Sequence, residues 1–159
     1  MKAVTVKELK TELSTRAPKE LLEICLRLSK FKKENKELLT YLLFEADEEA
    51  DYIASVKGEI DTHFEAINTK SFYFIKKSIR KTLREIKKFV RYSQKKQTEV
   101  ELLLYFCGKL YAFTPSVKRN TSMVNLYNRQ LDMIEKAIEK LHEDLQYDYG
   151  VELSELRRM

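Results

Sequence analysis

Residues 70–96 carry eleven Lys or Arg and one acidic residue, Glu85. Nothing else in the chain constrains its fold as strongly. Charge this concentrated has to face water, a ligand or an internal counterpart of opposite sign. At about 100° per residue the segment divides into two arcs. Phe72, Ile75, Ile79, Leu83, Ile86 and Val90 make an apolar stripe. Lys76, Lys77, Arg80, Lys81, Arg84, Lys87, Lys88, Arg91 and Lys95 take the opposite side, and no cation falls on the stripe. The spacing predicts an amphipathic helix with a buried seam and a cationic back. Tyr73 falls within the cationic arc, where an aromatic ring can stack on a nucleic-acid base. The bland alternative is a solvated helix face with no ligand at all.

The rest of the chain reads as helix too. Three Gly and two Pro among 159 residues are too few for the turns of a β-rich domain. Charged residues at 35% beside 43% hydrophobic ones suit amphipathic helices rather than disorder. The expectation is an all-α, single-domain antiparallel bundle of six or seven helices spanning residues 1–159, with irregular helical-repeat-like stacking as the alternative architecture. Thr5 and Glu8 have capping-box spacing for a first helix. Pro18 suits the first turn of a second, with Leu21, Leu22, Cys25 and Leu28 facing inward. Asn35 is a plausible N-cap after a short connection at 31–35. Apolar positions from Leu39 to Ile67 keep one period, with Gly58 as the expected break and Thr62 and Glu65 as a restarting cap.

After a turn at 68–71 comes the cationic helix. Thr98 and Glu101 again have capping-box spacing, for a helix over 99–112 that is apolar nearly all round and therefore central. Residues 114–122 read as the longest loop. Val124, Tyr127, Leu131, Ile134, Ile138, Leu141 and Leu145 form the seam of one last long helix, better matched to packing within the chain than to a second copy. Gly150 reads as its C-terminal cap and 151–159 as a tail.

Charge alternates along the chain. Residues 45–65 sum to −7, against +10 for residues 70–96 and +5 for the whole. The acidic block directly precedes the cationic helix, so the two are expected to pack as an antiparallel pair whose flanks attract one another. Each exposed pair of that kind contributes only about 0–1 kcal/mol.

Signals for catalysis are sparse. Glu139 and His142 have the Glu-x-x-His spacing of di-iron bundles, but the second such motif and the further Glu residues a complete site needs are missing. The carboxylates of 45–51 spread around a helix and lack the glycine of a calcium loop. No GxSxG, Gly-rich phosphate loop or HExxH is present. Cys25 and Cys107, far apart and without CxxC spacing, read as two buried reduced thiols. The longest apolar stretch, residues 100–113, is too short to span a bilayer. No export signal is read at residues 1–7, so a cytoplasmic, monomeric protein without a cofactor is expected.

Three classes of function follow. First comes a non-catalytic helical interaction module that meets an acidic protein partner. Second is binding of nucleic acid, without sequence preference, through phosphates on Lys76, Lys77, Arg80, Arg84, Lys87, Lys88 and Arg91, with Tyr73 beside them. An enzyme, such as a metal-dependent helical bundle, or a peripheral membrane binder comes last, because the apolar stripe is better employed in a core than on lipid.

Overall fold

The computed structural model describes residues 1–158, which fall into two compact units, Met1–Phe44 and a larger one that begins at Glu45. Among the described residues there are eight α-helices and no strand. They are α1 (Val6–Ser14), α2 (Pro18–Phe31), α3 (Lys33–Thr40), α4 (Glu49–Glu65), α5 (Phe72–Ser93), α6 (Lys96–Tyr111), α7 (Thr121–Ile138) and α8 (Glu143–Arg157). Among the described residues, no helix is long and apolar enough to cross a membrane.

In the first unit, the Thr5 hydroxyl accepts from the Glu8 amide and the Glu8 carboxylate accepts from the Thr5 amide, closing the capping box at the start of α1. Pro18 opens α2. Asn35 does not cap a helix start. It lies inside α3, and its amide donates to the Leu28 carbonyl near the end of α2 at 2.8 Å, satisfying an acceptor that the helix leaves open. The inward face expected of α2 is not enclosed: Leu22, Cys25 and Leu28 are exposed and Leu21 is half-buried. Three short helices in 44 residues are too few to surround an apolar stripe. A single π-helical turn, Tyr41–Glu45, follows α3.

The larger unit is built around α6, which packs against α4, α5, α7 and α8. Val100, Leu102, Leu103, Leu104, Phe106, Cys107 and Leu110 are all buried, so the central placement expected of this helix holds. Phe64 of α4 meets Phe106 edge-on at 5.9 Å between ring centres. Cys107 is enclosed enough that burial pushes its thiol up to about 12. The Tyr127 hydroxyl of α7 donates to the Leu156 carbonyl at 2.8 Å and holds α8 in place.

Breaks fall where periodicity does not show them. Gly58 lies within a continuous α4, and a Cβ there would meet open space. The interruption comes instead at residues 46–48, among five carboxylates in the seven residues 45–51. Like charges three and four residues apart oppose a continuous helix there. Thr62 and Glu65 start nothing, and the Thr62 hydroxyl donates back to the Gly58 carbonyl. The long C-terminal helix is two helices, parted at 139–142. His142 caps α8 by accepting from the Asp144 amide, and acidic Glu143 and Asp144 complement the dipole of the first turn. Gly150 therefore sits inside α8, and residues 151–157, expected as a tail, are helical with Leu153 buried. The 124–145 seam is filled within the chain, with Tyr127, Leu131, Ile134 and Ile138 buried.

Replacing Leu103 with Asp forces an unpaired carboxylate into this core and should cost several kcal/mol, enough to unfold a marginally stable domain. Thermal denaturation by circular dichroism checks it. A variant melting like the parent would contradict the central placement of α6.

Candidate polyanion-binding surface

Helix α5 forms because its apolar residues recur on one side and find a core there. Ile75, Ile79, Leu83 and Ile86 are buried, while α4 and α6 pack against the same face. Thr82 and His63 lie within hydrogen-bond distance at 3.3 Å, and the Tyr52 hydroxyl donates to the Phe89 carbonyl at 2.8 Å. These contacts fix the rotation of α5 about its axis. The helix ends at Gln94 in the left-handed conformation, φ 58°, and α6 turns away immediately.

Rotation set this way presents the opposite arc outward. Tyr73, Lys77, Arg80, Lys81, Arg84 and Arg91 are exposed, and Lys76 and Lys87 are half-buried. Among the described residues, no carboxylate lies within ion-pair distance of Lys76, Lys77, Arg80, Lys81, Arg84, Lys87 or Arg91. Lys88 differs from this group. Its side chain is only 12% exposed, pairs with Glu85 at 2.7 Å and lies 4.9 Å from the centre of the Phe89 ring. It is thereby withdrawn from the arc that the spacing predicts, in which Lys81 remains exposed.

The acidic block does not neutralise this arc as expected. Asp61 accepts from Lys109 at 2.7 Å and from the Tyr105 hydroxyl at 2.7 Å, both on α6. Those two bonds hold its carboxyl below the usual range and, reciprocally, raise Tyr105 and Lys109. Lys57 pairs with Glu101 of α6 at 3.3 Å. Glu49 accepts from Ser93 and from Thr98, the latter at 2.6 Å, and pairs with Lys95 at 3.3 Å, all around the α5–α6 junction. Thr98 is thereby taken from the capping role its spacing suggests, and Lys95 from the cationic arc. Glu101 is likewise engaged by Lys57 and by the Tyr149 hydroxyl at 2.7 Å, which with burial pushes Tyr149 up to about 12. Of the α4 charges in these contacts, Lys57 and Asp61 bond to α6, and Glu49 is shared between the end of α5, Lys95 and the start of α6.

One wall of the surface was not legible in the sequence. The Arg80 guanidinium donates to the Ser122 hydroxyl on α7 at 3.0 Å, and Lys87 Nζ approaches Met133 Sδ at 3.7 Å. Beside these contacts, Thr121, Ser122, Asn125, Asn128, Arg129 and Asp132 line a shallow depression of about 700 Å³ along α7. The run of polar residues on one side of α7 was a signal available in the sequence, but nothing in it says which helix α7 borders. Glu139 and His142 are exposed in the turn between α7 and α8, not directed into a core. Among the described residues, no three His, Cys, Asp or Glu are grouped as a metal site would require. Comparison with protein-family models, with curated proteins and with solved structures gives no match.

Cations without counter-ions repel one another, which predicts opposite effects for two substitutions. Arg84→Glu places a carboxylate among Arg80, Lys81, Lys87 and Lys88 at helical spacings of three and four and should stabilise the fold by about 0.5–1 kcal/mol at low salt. Asp61→Asn should destabilise it by at most about 1 kcal/mol, since both partners are partly exposed. A lowered carboxyl contributes stability only where it is ionised, so the Asp61 effect should be present above about pH 4 and fade as the pH falls through its folded value. Melting curves across salt and pH measure both. Destabilisation by Arg84→Glu would mean that Arg84 already has an anionic partner.

Proposed function

We propose that the protein is a non-catalytic helical binding module whose ligand is a phosphate polyanion, a nucleic acid, held along the outward arc of α5. The observation carrying this reading is the row Lys76, Lys77, Arg80, Lys81, Arg84, Lys87 and Arg91, held in one orientation by the core and without a carboxylate in reach among the described residues. From Lys76 to Arg91 the row extends about 22 Å along the axis. At about 3.4 Å of axis per phosphate on each strand of a duplex, that length is the axial span of roughly six phosphates. A surface of this kind recognises charge and spacing rather than sequence, because its contacts end on phosphate oxygens.

The alternative occupant is an acidic protein partner, favoured by the same row of cations since carboxylates also satisfy Lys and Arg. The chemistry separates the two. Arg offers phosphate a planar, two-pronged donor, and phosphates on a nucleic-acid strand are more closely and regularly spaced than carboxylates on a folded surface.

Fluorescence anisotropy with a labelled oligonucleotide tests the reading, with polyglutamate as competitor. Binding should weaken steeply with salt, by about 0.9 log units per log unit of salt for each duplex phosphate neutralised and about 0.7 for a single strand. Arg84→Glu with Arg91→Glu should weaken binding at least tenfold while leaving the helical circular-dichroism signal intact, because both side chains face outward. Polyglutamate of equal charge should compete poorly. If polyglutamate displaces the oligonucleotide equally, the acidic partner becomes the better reading. No binding at low salt would remove the nucleic-acid reading.

A further inference from the structure

Resting on that reading of α5, we infer that the ligand is a single strand, with its phosphates on α5 and its bases directed to Tyr73 and to the polar row of α7. Two features beside the cations have no use on a surface that only holds a duplex backbone.

The first is aromatic. Tyr73 lies on the same arc as Arg80, two helical turns before it, and the residue is 67% exposed. Phe74 beside it is 41% exposed, and the two rings meet edge-on at 5.4 Å between centres. Exposed aromatic rings next to cations offer a stacking face to an unpaired base. In a duplex the base faces are already stacked on their neighbours.

The second is the row on α7. The contact of Arg80 with Ser122 and that of Lys87 with Met133 advance together along both helices, so α5 and α7 point the same way and are bridged by these long side chains. Helix α6 packs against both. Ser122, Asn125 and Arg129 recur at spacings of three and four, and so share the side of α7 that borders α5. Asn125 and Arg129 are exposed, and neither has a hydrogen-bond partner among the described residues. An Asn amide both donates and accepts, as base edges and sugar hydroxyls do, and Arg adds a planar donor. The acceptor oxygen of the Asn amide has no use on phosphate alone. A strand lying along the α5–α7 line brings its backbone to the cations and its base edges to α7.

The test is fluorescence anisotropy with labelled oligothymidylate, oligouridylate and a mixed-sequence duplex of equal length, on the full chain and on Tyr73→Ala combined with Asn125→Ala. Both substituted side chains are exposed, so circular dichroism should be unchanged. Single strands should bind more tightly than the duplex. The double variant should lose between about fivefold and a hundredfold of single-strand affinity, the range expected for one lost base–aromatic stack, while its duplex binding and salt slope stay the same. If duplex and single strand bind equally, and the variant binds both as the parent does, this inference falls and the phosphate-binding reading of α5 stands. If nothing binds the parent chain at low salt, both fall together.

Discussion

Burial of α6 is the constraint on which the larger unit depends. A helix apolar around nearly its whole circumference has to be enclosed, and four others, α4, α5, α7 and α8, surround it. Each of the four then has one face committed to the core and one left to water. For α5, whose apolar stripe and cationic arc are opposite, this leaves no choice about where the cations point.

The same enclosure decides which charges cancel. Three polar groups of α6, Glu101, Tyr105 and Lys109, lie along the borders with α4 and α8. There they take up Lys57, Asp61 and Tyr149. Glu49 is drawn to the junction where α5 gives way to α6. Lys57, Asp61 and Glu49 of α4 are therefore engaged at α6 or at the α5–α6 junction, and Lys76, Lys77, Arg80, Lys81, Arg84, Lys87 and Arg91 have no ion pair among the described residues. A net charge of +5 for the whole chain understates this, because the acidic charge elsewhere is not within reach of that arc. At about 0.1 M ionic strength, the field of an exposed charge decays over about 10 Å, shorter than the arc itself, so an approaching polyanion meets a local charge rather than the net one.

Much of this was legible in the sequence, because apolar spacing and capping residues are local. The Thr5–Glu8 box, the stripe of α5 and the all-round apolarity of α6 could be read from side chains a few residues apart. The failures share a cause of another kind. Thr98 and Glu101 have the spacing of a cap but bond to Glu49, Lys57 and Tyr149, partners 44 or more residues away in the chain. The break at 139–142 lies inside an apolar period that runs on across it, and only His142 with its acidic followers marks the restart. Gly58 was misleading because its cost to a helix is about 1 kcal/mol, small beside the burial of Val56 and Ile60 on either side of it. The approach of α7 to α5, through Arg80 and Ser122, is a tertiary fact that no periodicity encodes.

The central claim is that the free cations of α5, and not Lys elsewhere, receive the ligand. Lysine acetylation footprinting by mass spectrometry, with and without an oligonucleotide, tests it residue by residue. The account predicts that Lys77 and Lys81 react readily in the free protein and Lys88 slowly. It further predicts that oligonucleotide protects Lys76, Lys77, Lys81 and Lys87 while leaving Lys57, Lys95 and Lys109 unchanged. Protection concentrated on those last three, or spread evenly over all the lysines, would contradict it.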